Sequence, residues 1–237
     1  MKINKSILFL ITMILLLGGC CWFAQYRYQN KNTLKVEVSF THAPQLLNTL
    51  AVNKLLTQKL GSKSSLMKDS LDLNMLEIQL NSTPEVKNAE IFVQPEGVLS
   101  LQITERQPLF KVVSDPPFFS DASGALFAFQ TLDSIHYPEF YSSTPTLSME
   151  STAALISSLK TDPFLARELK SIRLKKNQYH LHLKSYDFQV VFGTPDRVQE
   201  KINKLKMFCA FQNVQDSLKT FQKINLSYKR QVVASTF

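Results

Sequence analysis

"VKNAEIFVQPEGVLSLQITER", Val86 to Arg106, carries the clearest structural signal in the chain. Ala89, Ile91 and Val93 alternate with Glu90, Phe92 and Gln94; further on, Leu99, Leu101 and Ile103 alternate with Ser100, Gln102 and Thr104. A period of two puts successive side chains on opposite faces of a strand, so each run reads as a strand with one buried face. Pro95-Glu96-Gly97 supplies the reversal between them. The stretch predicts an antiparallel hairpin over Val86–Val93 and Val98–Glu105.

Toward the N-terminus, "LKVEVSF" (Leu34 to Phe40) alternates Leu34, Val36, Val38 and Phe40 with Lys35, Glu37 and Ser39 and reads as another strand. Between Ala43 and Leu60 the apolar Leu46, Leu47, Leu50, Leu55 and Leu56 recur at helical spacings, and Gly61 ends the run. Asp72 caps a second, short helix carrying Leu73, Leu76 and Leu80, which must stop before Pro84 because the residue ahead of a proline avoids helical geometry. The order strand, helix, helix, strand, strand predicts two helices on one face of a three-stranded sheet, an α+β module.

Toward the C-terminus, "FFSDASGALFAF" (Phe118 to Phe129) places two aromatic-rich strands around a turn at Asp121 and Gly124. A helix is expected over Glu150–Lys160, then strands over Ile172–Lys176, Tyr179–Lys184 and Phe188–Phe192. In "FGTPDRVQEKINKLKMF", Thr194 reads as an N-cap and Pro195 as the first helical position, with Val198, Ile202, Leu205 and Phe208 on one apolar stripe. In "INLSYKRQVVAS", Ile224, Leu226 and Tyr228 alternate inward, Lys229-Arg230 makes a turn, and Gln231 to Ala234 runs back as a final strand. Its far side has no further strand to pair with. Lys229 and Arg230 blunt only the start of that edge, and Val232-Val233 leave its middle open.

At the other end, Lys2 and Lys5 precede "ILFLITMILLLGGCCWFA", Ile7 to Ala24, which carries no charge. Eighteen helical residues reach roughly 27 Å against a hydrocarbon core of about 30 Å, and Trp22, Tyr26 and Tyr28 extend the run as interfacial anchors. Three readings are open: a retained signal anchor with Lys2 and Lys5 inside, a lipoprotein signal in which "LGGC" makes Cys20 the lipidated residue, and a cleaved signal peptide, for which no convincing small-x-small site is present. The anchor accounts best for the aromatics that follow the run.

Composition excludes several functions. The 237 residues carry a net charge of +8, but the basic residues are scattered without a dense Lys/Arg tract, which speaks against nucleic-acid binding. Cys20 and Cys21 are adjacent and Cys209 stands alone, so neither a disulfide framework nor a zinc spacing exists. His180 and His182 share one strand face without a carboxylate or cysteine at a spacing that completes a metal site. There is no GxSxG and no phosphate-cradling loop, and Asp115 and Asp121 read as turn formers. These absences argue against an enzyme and imply no cofactor.

The segment Leu71 to Val112 resembles the extracytoplasmic region of the FtsQ/DivIB family of bacterial cell-division proteins. Pro84, Val86, Ala89 and Ile91 match the family's P-x-V-x-x-A-x-V strand, and Glu105, Arg106 and Pro108 match its closing E/Q-R-x-P. "FFSDASGALF", the Pro-Leu step in "STPTLS" (Ser143 to Ser148), the Thr194 segment and "INLSYKRQVVA" continue the resemblance; Asn225 stands where Asp is common and Ser227 where Arg is frequent. The resemblance implies a cytoplasmic stub over 1–6, a transmembrane helix over 7–24, a POTRA-like domain over 34–112 and a C-terminal β domain over 113–237 containing a packed helix.

It also implies a non-enzymatic divisome scaffold in the inner membrane at the septum, with its N-terminus cytoplasmic and its domains periplasmic. Such a scaffold binds FtsB-like and FtsL-like bitopic proteins and other divisome components, and helps couple them to septal peptidoglycan synthesis. On this reading Tyr228, Lys229, Arg230, Gln231, Val232, Val233 and Ala234 receive a partner strand by β-augmentation. A POTRA-type periplasmic protein serving outer-membrane clients, lipid-anchored at Cys20, stays open as the alternative.

The anchor reading has a direct check. Intact-mass analysis of the membrane form should show an uncleaved N-terminus, and a mature chain starting at acylated Cys20 would refute it.

Overall fold

The computed structural model describes residues 5–29, 35–47, 50, 52, 54, 72–94, 98–128, 136–142, 149–214 and 221–236. The chain divides into two compact units, Met1–Glu105 and Arg106–Phe237.

The first unit begins with α1 (Lys5–Gln29). Its window Phe9–Tyr26 has a mean hydropathy of 1.7 and none of it is buried by protein, so it is long and apolar enough to cross a membrane. Trp22 and Tyr26 stack near its C-terminal end with ring centroids 5.8 Å apart. Beyond it come β1 (Lys35–Phe40), α2 (Leu73–Asn81), β2 (Val86–Val93) and β3 (Val98–Glu105). The hairpin strands carry the bounds that the alternation predicts; the Pro95–Gly97 turn lies outside the described residues. The sheet order is β1-β3-β2, with β1 parallel and β2 antiparallel to the central β3. Leu99, Leu101 and Ile103 are fully buried and meet Ala89, Ile91, Leu76 and Leu80. On the edge strand β1, Val38 and Phe40 join this core, whereas Val36 is exposed.

α2 starts as read, with the Asp72 carboxylate accepting from the Met75 N–H at 3.0 Å. The helix expected from Ala43 does not start there. Ala43 to Leu47 are non-helical and only Leu50, Val52 and Lys54 are described as helical, the remainder of 43–60 lying outside the described residues. The stretch 45–47 is instead met by Glu105, a 7% exposed residue. Its carboxylate accepts the N–H groups of Gln45 at 2.8 Å, Leu46 at 3.3 Å and Leu47 at 2.6 Å. These donors meet a side chain from β3, as the orphan donors of a helix start meet a cap.

The sequence reading carries the first module through Val112, but β4 (Phe110–Val112) pairs in the other unit's sheet, so the division falls after Glu105. That sheet adds β5 (Phe118–Ser120), β6 (Leu126–Phe127), β7 (Glu139–Tyr141), β8 (Leu169–Lys175), β9 (Gln178–Leu183), β10 (Gln189–Gly193), β11 (Lys223–Asn225) and β12 (Val233–Ser235). The nine strands run in the order β12-β11-β10-β9-β8-β7-β4-β5-β6. The β5–β6 turn is the one read from Asp121 and Gly124. Asp121 accepts from Arg106 at 2.7 Å and from the N–H groups of Ser123 and Ala125. Burial pushes its carboxyl up, yet these hydrogen bonds outweigh burial and hold it below the ordinary value. Gly124 has φ +85°, and a Cβ there would come within 2.8 Å of the Glu150 nitrogen.

Helices α3 (Met149–Thr161), α4 (Pro163–Glu168) and α5 (Val198–Val214) share the core with Phe140, Ile172, Leu181, Val190, Phe192 and Ile224. α3 matches the expected Glu150–Lys160 helix, and "STPTLS" ahead of it lies outside the described residues. α4 sits in a stretch that the sequence reading leaves unassigned, although Asp162-Pro163 is a start signal: Asp162 accepts from Phe164 N–H at 3.0 Å and Leu165 N–H at 3.3 Å. α5 starts at Val198, so Thr194 is not its N-cap and Pro195 not its first residue. Residues 194–197 form an irregular bend held by Lys201.

Leu101 is buried on the face the alternation assigns. Leu101→Ala should therefore cost roughly 2–5 kcal/mol in chemical denaturation. Full stability in that variant would contradict the register.

Candidate partner-binding edge

β11 lies between two partners of opposite direction, pairing parallel with β10 (Gln189↔Lys223, Val191↔Asn225) and antiparallel with β12 (Ile224↔Ala234). β12 is thus the edge of the nine-stranded sheet. Ile224 and Leu226 are fully buried, as the alternation predicts, but Tyr228 is 50% exposed and does not continue the inward face. β11 ends at Asn225, and the link to β12 is a bend through Tyr228–Arg230 followed by two residues without regular structure, not a two-residue turn. The final strand is Val233–Ser235, shifted from the expected Gln231–Ala234.

Local hydrogen bonds account for the departure. Asn225 Oδ1 accepts the Ser227 N–H at 2.9 Å and turns the chain. Arg197 then donates to Ser227 O at 3.2 Å, and Lys204 donates through Nζ to Tyr228 O at 2.8 Å. Of the residues assigned to partner binding, Tyr228, Lys229, Arg230, Gln231 and Val233 are exposed, Ala234 is half-buried, and Val232 packs against the core.

Beside this stretch, Lys204, Met207, Phe208, Phe211, Arg230, Gln231 and Val232 line a groove of about 310 Å³. Met207 is 73% and Phe211 51% exposed. Sequence reasoning missed this wall, although the signal was present: Met207, Phe211 and Val214 recur at i, i+4 and i+7, a second apolar stripe beside the one that packs inward.

The bend before α5 anchors the other side. Lys201, 1% exposed, donates to Thr194 O and to Asp196 Oδ1, both at 2.7 Å, and its ammonium lies 5.1 Å from the Phe192 ring centre. Arg197 adopts φ +47° and donates to Asp196 Oδ2 at 2.9 Å. Lys201 first, then Thr194 and Arg197, hold the Asp196 carboxyl far below its ordinary value. Glu200, paired with Lys204 and Arg197, is also lowered.

His180 and His182 lie on β9, turned away from buried Tyr179, Leu181 and Leu183. Burial and then neighbouring cations, Lys175 and Lys223 for His180 and Arg173 and Lys170 for His182, lower both imidazoles and favour the neutral form. No group of three or more His, Cys, Asp or Glu capable of holding a metal is present among the described residues.

Among the described residues these features define a class: a mixed α+β chain with one helix long and apolar enough to span a membrane, and a helix-backed sheet with β12 as an edge strand. Residues 107–235 match the family described as "FtsQ/DivIB, C-terminal related". The chain belongs to the FtsQ/DivIB family and is a cell-division protein. No curated protein matches it.

A carboxylate lowered in the folded state adds stability that is full above its unfolded value, here 3.8, and is lost as pH falls through the folded one. Thermal melts of wild type and Asp196→Asn should therefore differ most at neutral pH, with wild type the more stable, and converge only in strong acid. Equal melting temperatures at pH 7 would contradict the role given to this carboxylate.

Proposed function

We propose that this protein is a non-enzymatic divisome scaffold that captures an FtsB-like bitopic partner, with an FtsL-like protein in the same assembly, at the edge strand β12. Family membership supports divisome protein–protein contacts in general. The observation that carries the finer reading is the juxtaposition of the β12 edge with the groove walled by Met207, Phe211 and Val232. A strand added there gains backbone hydrogen bonds from β12 and side-chain contacts from the groove.

Other edges are less suited. On β2 the N–H groups of Ala89 and Ile91 are already taken by Asn81 Oδ1 and Glu77 Oε1, both at 2.8 Å. β6 at the far end of the second sheet has only two residues, and short edges template poorly. β1 lies outside the residues matched to the family, whereas β12 lies within them.

In this reading α1 anchors the chain in the inner membrane at the septum with the N-terminus inside. The first unit is a POTRA-like recruiting module, and the second holds the partners that help license septal peptidoglycan synthesis. The apolar, protein-free surface of α1 supports the anchor.

Val232→Pro removes a backbone donor and fixes φ beside the edge, and Val233→Glu puts a charge on the exposed edge residue. In co-purification of the full membrane protein, each variant should lose the FtsB-like partner, and Val233→Glu should do so at the wild-type melting temperature. Wild-type recovery of that partner by both would overturn the assignment.

A further inference from the structure

If β12 is a docking edge, its usefulness depends on how the seven residues Leu226 to Val232, which connect it to β11, are held. Their alternation reads as strand on either side of Lys229-Arg230, yet none of the seven is in a strand. Leu226 still follows the sheet, donating its N–H to Val191 O at 2.9 Å. One residue further, Ser227 meets Gly193, which has φ +77° and where an added Cβ would lie 2.6 Å from Ser227 Oγ. A side chain at 193 would displace the Ser227 hydroxyl, and the positive φ itself favours glycine there. The chain leaves the sheet there, and the carbonyls of Ser227 and Tyr228 are met by two cations at the start of α5.

We propose that Arg197 and Lys204 are positioning residues for the docking edge: by holding the carbonyl oxygens of Ser227 and Tyr228 they set how Tyr228 to Ala234 are presented to an incoming strand. The inference rests on the reading of β12 as the docking site.

Three observations carry it. Arg197 donates to Ser227 O at 3.2 Å and Lys204 to Tyr228 O at 2.8 Å, so consecutive carbonyls are held, one from the bend before α5 and one from α5 itself. The two cations share Glu200, which lies between them in sequence and pairs with both. The arrangement also persists against local costs. Arg197 sits in the left-handed region, and Ser227 Oγ is buried without a hydrogen-bond partner among the described residues. Asp196 and buried Lys201 hold the Arg197 backbone in that conformation from the other side.

Presentation is a better account of these bonds than bulk stability. The pairs Arg197–Glu200 and Lys204–Glu200 reach solvent through Glu200, whose side chain is 43% exposed, and ion pairs open to water add little to stability. Lys204 also lines the groove with Arg230, Gln231 and Val232, so releasing Tyr228 O frees the groove wall and the approach to β12 together.

The test uses the full-length protein in detergent, with the cell's own FtsB-like protein co-expressed as the probe. R197M and K204M keep the apolar stems and remove the donors. Each should leave the melting temperature near wild type and accelerate amide hydrogen exchange across Leu226–Ala234 but not across Val198–Val214. Each should also raise the partner's off-rate by about tenfold, which corresponds to about 1.4 kcal/mol. K204R, which retains a donor, should restore slow exchange and slow release. Unchanged exchange and off-rate in both variants would overturn the inference. So would a fall in melting temperature with exchange accelerated equally through α5, since that is a structural role only. Val233→Glu separates the two levels: if it leaves binding intact, the edge itself is not the docking site; if it abolishes binding while R197M and K204M do not, only the positioning role fails.

Discussion

Lys201 brings a charge into a site that is 1% exposed, and the open end of the second sheet depends on how that charge is met. A buried ammonium is costly unless it is paired and hydrogen-bonded. Here the pairing comes from Asp196 and the Thr194 carbonyl, with Phe192 beneath. To supply them, residues 194–197 cannot form the first turn of α5, and Arg197 is driven to positive φ. Its guanidinium then reaches Ser227, and the last strand is placed from there. One buried cation thus links the core, the start of a helix and the β12 edge.

The first unit uses the opposite charge in a similar way. Glu105, at the end of the central strand β3, meets three consecutive backbone N–H groups at 45–47. Removing this acceptor leaves the buried Leu47 donor unsatisfied, at about 1–3 kcal/mol. The next residue, Arg106, belongs to the second unit and pairs with Asp121 in the β5–β6 turn. The adjacent Glu-Arg that marks the family resemblance therefore does structural work in each unit separately.

Much of this fold was legible. The hairpin Val86–Glu105, the Asp121–Gly124 turn, α3 and the run β8 to β10 follow from period-two and period-3.6 patterns and from turn chemistry, all of which are local. The misreadings share a cause. Ala43, Thr194 and Tyr228 each sit at or beside a stretch where local pattern suggested a regular element and where a side chain from another element meets the backbone: Glu105 for 45–47, Lys201 for Thr194 O, and Lys204 for Tyr228 O. No propensity at those positions encodes that. At the candidate site the edge strand was visible in "QVVAS", while the groove was not, because Met207 and Phe211 lie beside the stripe of Val198, Ile202, Leu205 and Phe208 that helical spacing picks out first.

The central claim is that the β12 edge receives a partner strand. Amide hydrogen exchange of the full-length protein, measured alone and in complex with its FtsB-like partner, tests it most directly. The account predicts new protection at Val233–Ser235 and in the neighbouring Arg230–Val232, with the β6 edge at Leu126–Phe127 unchanged. Protection confined to β6 or to the first unit, with Val233–Ser235 exchanging as in the free protein, would contradict it.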